Sequence, residues 1–315
     1  MPIHAAFADH LHVLEGLPSF ADAGDDPAVF ARLDEFRRAT TFGEPPVVST
    51  HPDAAPGPHG PVPVRVYEPA GPERQRPCLV WMHGGAFMAG DLDMPEADWT
   101  AREIATRVGA VVVSVDYRLA VEGMAYPVPH DDVVAAIRWV RDGSAALGID
   151  PARVSVGGAS AGGNLATGAV LRLRDDDGWL PAQLVPVYAT VHPVVPPPSA
   201  TLCALMVEVP RALRFLPSDR DSITTNYLGG PLSRADGYAM PGLAVLEGLC
   251  PTVLINAEYD DLRPSSEAFA AALAIAGVDV RQVVVRGLLH GFLNHSAKIE
   301  PISAALDLLA AVVRG

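Results

Sequence analysis

A serine set among glycines and alanines is the residue of this chain best placed to do chemistry. Ser160 lies in "VGGASAGGN", residues 156–164, and fits the pattern G-x-S-x-G. The run before it, "RVSVGG", is typical of a buried strand, and the residues after it are typical of a helix. At such a junction small neighbours let the chain turn sharply and leave the hydroxyl accessible. The stretch therefore predicts a nucleophile at the start of a helix.

Acid and histidine candidates follow Ser160 along the chain. A serine hydroxyl needs a base, and the base needs a carboxylate to orient it. The stretch "INAEYDDLRPSSE" offers Glu258, Asp260 and Asp261, and "VVVRGLLHGFLNH" offers His290 and His295. Both stretches follow or end predicted strands, and the carboxyl ends of parallel strands meet at one edge of a sheet. We therefore expect one acid and one histidine from these stretches to join Ser160.

A glycine-containing loop supplies the third part of this chemistry. The stretch "WMHGGAFMAGD" follows the apolar run "PCLVWM", and its glycines allow backbone amides to approach a reacting carbonyl closely. The G-x-S-x-G pattern by itself also fits a tight strand–helix junction or a phosphate-binding loop, although the Walker lysine is missing. The serine, the acids, the histidines and the loop together favour acyl transfer.

Composition excludes several other classes of function. The formal net charge of −14 makes a nucleic-acid partner improbable, because phosphates would be repelled. The chain begins without a signal-peptide pattern, and no apolar run reaches transmembrane length, so we expect a cytoplasmic protein without a membrane anchor. Its three cysteines are far apart and form no cluster with histidines, so neither a metal nor another cofactor is expected.

The pattern of elements predicts an α/β chain. From residue 77 onward, short apolar strands alternate with helical segments, which favours a mostly parallel central sheet with helices on both faces. Residues 44–63, rich in proline, glycine and histidine, are interpreted as a connector to edge strands such as "VPVRVYEP". Before them, "DDPAVFARLDEFRRAT" predicts a helix capped by Asp26, with an apolar face of Val29, Phe30, Leu33 and Phe36.

Two segments depart from the alternating pattern. Residues 1–45 are predicted to be helical, and residues 188–240 contain prolines that argue against a central strand. We expect these two segments to pack together as a helical cap over the carboxyl edge of the sheet. Residues 46–187 and 241–315 then form the catalytic domain. An ordinary surface excursion remains the alternative for the insertion.

Several stretches together resemble the hormone-sensitive-lipase-like branch of the α/β-hydrolases, the bacterial carboxylesterases. These stretches are "HGGAF" at 83–87, "DYRLAVE" at 116–122, "GGASAGGNLA" at 157–166 and "AEYDDLR…HGF" at 257–292. The resemblance implies an α/β-hydrolase fold with a helical cap, in which Ser160 is the nucleophile, His290 the base and Asp260 the acid. Asp261 stands where the family has a proline, and it remains an alternative to Asp260.

The resemblance also implies an oxyanion hole. It would consist of the N–H of Ala161 and two of the amides of Gly84, Gly85 and Ala86. Ala86 replaces the third glycine of the family's loop, and a left-handed backbone there costs more than it would at glycine.

The acyl or alcohol pocket is expected to come from apolar residues of the insertion and the oxyanion loop. The candidates are Phe87, Met88, Met206, Val209, Leu213, Phe215 and Leu216. The leading function is hydrolysis of short- to medium-chain acyl esters, a small-molecule substrate class. An amidase, deacetylase or acyltransferase would use the same residues, and a non-catalytic small-molecule-binding protein could share the fold. A homodimer is expected only by analogy with the family.

Overall fold

The computed structural model describes residues 2–24 and 26–315, and a sheet of eight strands runs through its centre. The strands are β1 (Ser49–Ala55), β2 (Val62–Glu68), β3 (Arg76–Met82), β4 (Val111–Val115), β5 (Ile149–Ala159), β6 (Gln183–Val187), β7 (Thr252–Tyr259) and β8 (Val280–Leu289). The α-helices are α1 (Ala5–Ala8), α2 (Phe20–Ala23), α3 (Pro27–Thr40), α4 (Pro95–Val108), α5 (Val128–Gly143), α6 (Ala161–Asp177), α7 (Ala200–Met206), α8 (Pro217–Leu228), α9 (Arg263–Ile275) and α10 (Glu300–Arg314). Short 3-10 helices span Leu11–Leu14, Arg211–Leu213, Leu232–Arg234, Pro241–Leu243 and Phe292–Asn294.

The sheet is mostly parallel, as the sequence predicts. Its strand order is β1-β2-β4-β3-β5-β6-β7-β8. Strand β2 runs antiparallel to β1 and β4, and strands β3 through β8 run parallel to one another. Strands β3 and β4 are buried along their whole length, which is the pattern of a sheet covered on both faces. This confirms the α/β-hydrolase fold.

Helices cover the two faces of the sheet and form two apolar clusters. One cluster joins the sheet to α5, α6 and α9, and the other joins it to α4, α10 and the N-terminal helices. The described residues contain no helix that is both long and apolar enough to cross a membrane.

The N-terminal helix α3 begins where the sequence predicts. The side chain of Asp26 accepts the Ala28 N–H at 2.9 Å and caps the helix. Val29 and Phe36 are buried, but the prediction for Phe30 is wrong because this side chain is 47% exposed. Successive residues are rotated by about 100° around a helix, so Phe30 falls outside the narrow face that Val29 presents.

The insertion between β6 and β7 contacts the N-terminal segment. The Ser19 hydroxyl donates to Asp219 at 3.1 Å, and Arg211 pairs with Asp22 at 3.3 Å. Buried apolar side chains of both segments also belong to one cluster. These contacts fit the expected cap, while the predicted domain boundaries stay predictions.

Two strands were not expected from the sequence. Strand β1 lies within the predicted connector, and its Pro52 is tolerated because β1 is an edge strand. Strand β6 is central although it contains Pro186. The ladder between β6 and β7 pairs Leu184 with Thr252 and Val187 with Ile255. It therefore includes no pair at Pro186, which has no N–H to donate.

Candidate active site

Ser160 lies between β5 and α6 in a strained turn. Its φ of 51° and ψ of −117° place it in a region that non-glycine residues rarely adopt. The turn is held by main-chain hydrogen bonds, since the Ser160 N–H donates to Val187 O at 2.9 Å and the Asn164 N–H donates to Ser160 O at 3.1 Å. Ser160 keeps 8% of its surface exposed, so the hydroxyl faces the cavity described below.

The small neighbours of Ser160 are required by the close approach of three main-chain segments. A Cβ on Gly158 would lie 2.8 Å from Met82 O, and a Cβ on Gly162 would collide with the main chain of Met82 and His83. A Cβ on Gly163 would lie 2.7 Å from that of Ala189. Helix α6 can begin against β3 only if these positions lack side chains.

His290 and Asp260 form a hydrogen-bonded line with Ser160. The Ser160 hydroxyl lies 3.0 Å from Nε2 of His290, and Nδ1 of His290 lies 2.8 Å from Oδ2 of Asp260. Because a carboxylate only accepts, Nδ1 carries the proton and Nε2 is free to accept from the hydroxyl. The other oxygen of Asp260 accepts the Leu262 N–H at 2.8 Å, which fixes the carboxylate.

The surroundings of His290 set its basicity. Burial disfavours the imidazolium, but the charge of Asp260 and the hydrogen bond to it outweigh burial, so the pKa of His290 lies above its ordinary value of 6.5. Two aromatic rings contact the imidazole. The ring centroids of Phe215 and Tyr188 lie 4.7 and 5.0 Å from that of His290.

Asp261, the alternative acid, has a different set of partners. Its carboxylate binds both Nε and Nη2 of Arg214, at 2.7 and 2.9 Å, and accepts the Phe215 N–H at 3.0 Å. It therefore attaches the insertion to the loop that carries Asp260. This arrangement favours Asp260 as the partner of His290.

His295, the alternative base, lies away from Ser160. Its ring packs against Phe7 and Phe36, with centroids 4.9 and 5.9 Å away, and Nδ1 lies 2.7 Å from the Thr40 hydroxyl. Burial lowers the pKa of His295 to about 3, so the ring is neutral. His295 joins the N-terminal segment to the catalytic loop.

The glycine loop presents free amides beside Ser160. Gly85, Ala86 and Phe87 all have positive φ, of 119°, 54° and 64°. Within residues 2–24 and 26–315, the N–H groups of Gly85, Ala86 and Ala161 have no recorded acceptor. Ala86, which stands where the family's loop has a glycine, adopts the left-handed conformation that glycine would adopt more easily.

Gly84 does not offer its amide in the same way. Its N–H donates to Oε2 of Glu96 at 2.6 Å, which favours Ala86 over Gly84 as the amide beside Gly85, and the composition of the oxyanion hole stays a prediction. The carboxylate of Glu96 also accepts the Tyr188 O–H at 2.6 Å and lies 3.3 Å from Nδ2 of Asn294. Burial raises the pKa of Tyr188 well above its ordinary value, so its hydroxyl remains a donor.

Glu96 is a site residue that the sequence analysis missed. It is only 2% exposed and lies in the first turn of α4, twelve residues beyond Gly84. Acidic residues are common in first turns, where they favour the helix dipole. The sequence offered no signal that this one turns inward.

A small cavity opens beside Ser160. The oxyanion loop residue Ala86 and the helix start Ala161 line it near the hydroxyl. Its apolar walls are formed by Phe87, Pro193, Val195, Phe215, Ile223 and Leu262, and its polar lining includes Thr190, Thr224 and Arg220. Of the pocket residues expected from the sequence, Phe87 and Phe215 therefore line the cavity.

The other pocket residues expected from the sequence lie outside the lining of this cavity, and the substrate pocket itself stays a prediction. Met206 and Val209 are buried in the apolar cluster beneath the N-terminal helices, because α7 packs there and not over Ser160. Leu213 packs against the same cluster, and Met88 and Leu216 are absent from the cavity lining as well. The sequence identified the insertion but could not tell which of its faces is turned toward the sheet edge.

The chain is similar to known proteins both in sequence and in structure. A family model described as the alpha/beta hydrolase fold matches residues 79–294. Carboxylesterase NlhH of Mycobacterium tuberculosis is 37% identical over 250 residues, which cover 77% of this chain and 74% of that protein. Esterase LipI of the same organism is 32% identical over 321 aligned positions, which cover 97% and 94%. A solved hyperthermophilic esterase from the archaeon Pyrobaculum calidifontis superposes with a TM-score of 0.81 at 29% identity, and the match covers 100% of this chain and 98% of that one.

The contacts of Glu96 predict a cost in both stability and activity when they are removed. Glu96→Ala leaves the Gly84 N–H and the Tyr188 O–H without an acceptor, at about 1–3 kcal/mol for each buried donor. The freed loop should also lower kcat on a short ester by up to about 100-fold, because the neighbouring amides lose their position. Urea unfolding and steady-state kinetics measure the two effects.

Glu96→Gln is the matched control. Its amide oxygen can accept from Gly84 and its NH₂ can donate to the Tyr188 oxygen, so both losses should be much smaller. A Glu96→Ala protein as stable and as active as Glu96→Gln would contradict this role for Glu96.

Proposed function

The chain belongs to the hormone-sensitive-lipase-like carboxylesterases of the α/β-hydrolase family, and we propose that it cleaves its ester through a triad of Ser160, His290 and Asp260. The observation that carries the proposal is the line of hydrogen bonds from the Ser160 hydroxyl through His290 to Asp260. It has the contacts that a serine nucleophile, its base and the orienting acid require.

The proposed reaction proceeds in two halves. Ser160 Oγ attacks the ester carbonyl while Nε2 of His290 takes its proton, and Asp260 stabilises the imidazolium that forms. The tetrahedral intermediate collapses when His290 returns the proton to the leaving alcohol. Water then attacks the acyl-enzyme with His290 again as base, and Ser160 is regenerated as the acid leaves.

The proposed oxyanion hole consists of the amides of Gly85, Ala86 and Ala161. The lack of a recorded acceptor for these N–H groups within the described ranges supports this choice. Ala161 is also the first residue of α6, where the helix dipole favours negative charge. Gly84 is left out because its N–H already donates a hydrogen bond to Glu96.

The cavity supports a small ester as substrate. Its lining is mostly apolar with a few polar groups, which is the usual character of a small-molecule site. Phe87 and Phe215 are the proposed apolar contacts for a short- to medium-length chain. The homodimer and the cytoplasmic location expected from the sequence stay predictions.

Replacing the nucleophile tests the proposal. Ser160→Ala should lower kcat on p-nitrophenyl butyrate by a factor on the order of 10⁴ or more, since the triad acts as a unit. Ser233→Ala, at an exposed serine of the insertion, should retain wild-type activity. Residual activity of one tenth in Ser160→Ala would show that another residue is the nucleophile.

The raised pKa of His290 predicts the acid limb of the pH profile. Only neutral imidazole can accept the Ser160 proton, so kcat/KM should rise with pH and reach half its maximum above pH 6.5. In Asp260→Asn the nearest charge that raises this pKa, and the hydrogen bond to a charged acceptor, are gone, while the smaller contributions of Glu96 and Asp261 remain. The limb should then move to lower pH, and kcat should fall by a factor on the order of 10⁴. A wild-type midpoint below 6.5, or one that Asp260→Asn leaves in place, would argue against the assignment.

A further inference from the structure

Arg220 lies on the wall of the cavity that contains Ser160. It belongs to α8, and Ile223 and Thr224, one turn further along the same helix face, line the cavity with it. Among the described residues, Arg220 is the only charged side chain in this lining. The remaining lining is apolar except for Ser160, Thr190 and Thr224.

The guanidinium of Arg220 has no partner in the described part of the chain. Neither an ion pair nor a hydrogen bond from its side chain is formed, although the residue is partly buried. The other arginines that lack an acceptor in the described ranges are all exposed at the surface: Arg74, Arg281 and Arg314. A shortage of acids does not explain this, because the chain has 37 acidic and 23 basic residues.

Asp221, the next residue, is exposed and forms no ion pair with Arg220 in the described part of the chain, and two other acids near Arg220 are engaged elsewhere. Asp219, its neighbour in α8, accepts from the Ser19 hydroxyl and from the Leu216 N–H. Asp261, beside the proposed triad, is bound by Arg214. The wall of the cavity therefore presents a cation that these acids do not neutralise.

We propose that Arg220 binds a carboxylate of the substrate, so that the preferred esters carry a free carboxylate besides the ester that Ser160 attacks. This inference rests on the proposed function. The planar fork of a guanidinium pairs with a carboxylate through two hydrogen bonds, and apolar walls screen the pair less than water does. A single cation matches a single monoanion, and Arg220 and Ser160 line the same cavity, so one short molecule can contact both.

Two pairs of esters test the proposal from either side of the scissile bond. Methyl pentanoate and monomethyl glutarate differ only in a terminal methyl or carboxylate on the acyl chain. Pentyl acetate and 5-acetoxypentanoate differ in the same way on the alcohol. Titration of the released acid gives kcat/KM for all four with the wild type, Arg220→Met and a control. The control is Arg211→Met, at an arginine of the same insertion whose side chain is 63% exposed and pairs with Asp22.

The wild type should prefer the carboxylate-bearing member of at least one pair. Arg220→Met should lower that carboxylate-to-neutral ratio by about 10- to 100-fold, the effect of one charge-assisted hydrogen-bonded contact, and leave the neutral esters nearly unchanged. Arg211→Met should keep the wild-type ratio. Added salt should lower the ratio in the wild type and not in Arg220→Met.

The outcomes separate this inference from the function on which it rests. Two results would overturn the role of Arg220 and leave the esterase intact, provided that the neutral esters are hydrolysed through Ser160. In one, the wild type prefers the neutral ester of both pairs. In the other, Arg220→Met keeps the wild-type carboxylate-to-neutral ratio. A wild type that hydrolyses none of the four esters would overturn the proposed function and this assignment together.

Discussion

The site depends on the close approach of the main chain at the end of β5 to the start of α6 and the end of β3. Gly158 and Gly162 lie where any Cβ would meet the backbone of Met82. This packing holds Ser160 in its positive-φ conformation, which costs on the order of 1–3 kcal/mol. The surrounding hydrogen bonds and buried strands offset that cost, and the hydroxyl is kept at the edge of the sheet.

Two carboxylates near the turn at Ser160 hold the loops that complete the site. Glu96 links the oxyanion loop to Tyr188, whose ring contacts His290. Asp261 links the loop that carries Asp260, the proposed triad acid, to the insertion through Arg214. In the described part of the chain, neither of these acids is hydrogen-bonded to the Ser160 hydroxyl. The reacting groups are therefore positioned by long-range contacts between loops that follow different strands.

The sequence could predict those site residues that stand next to a recognisable local pattern. Ser160, Asp260 and His290 each occur after a recognisable apolar strand, and the strand edge brings such residues together in any parallel sheet. The contacts of Glu96 and the place of Arg220 in the cavity lining could not be predicted in this way, because each depends on how a helix is rotated against distant segments. The same reason explains the pocket: Phe215 faces His290, whereas Met206, nine residues earlier, is buried under the N-terminal helices. Strand β6 was not predicted, and its Pro186 is unusual in a central strand.

The central claim is that Ser160 is the nucleophile activated by His290, and covalent labelling tests it most directly. A fluorophosphonate ester reacts with an activated serine and leaves a stable adduct that peptide mass spectrometry can locate. The account predicts one adduct per chain, on Ser160, formed rapidly by the wild type and far more slowly by His290→Ala. An adduct on a different serine, or equal rates of labelling in wild type and His290→Ala, would contradict it.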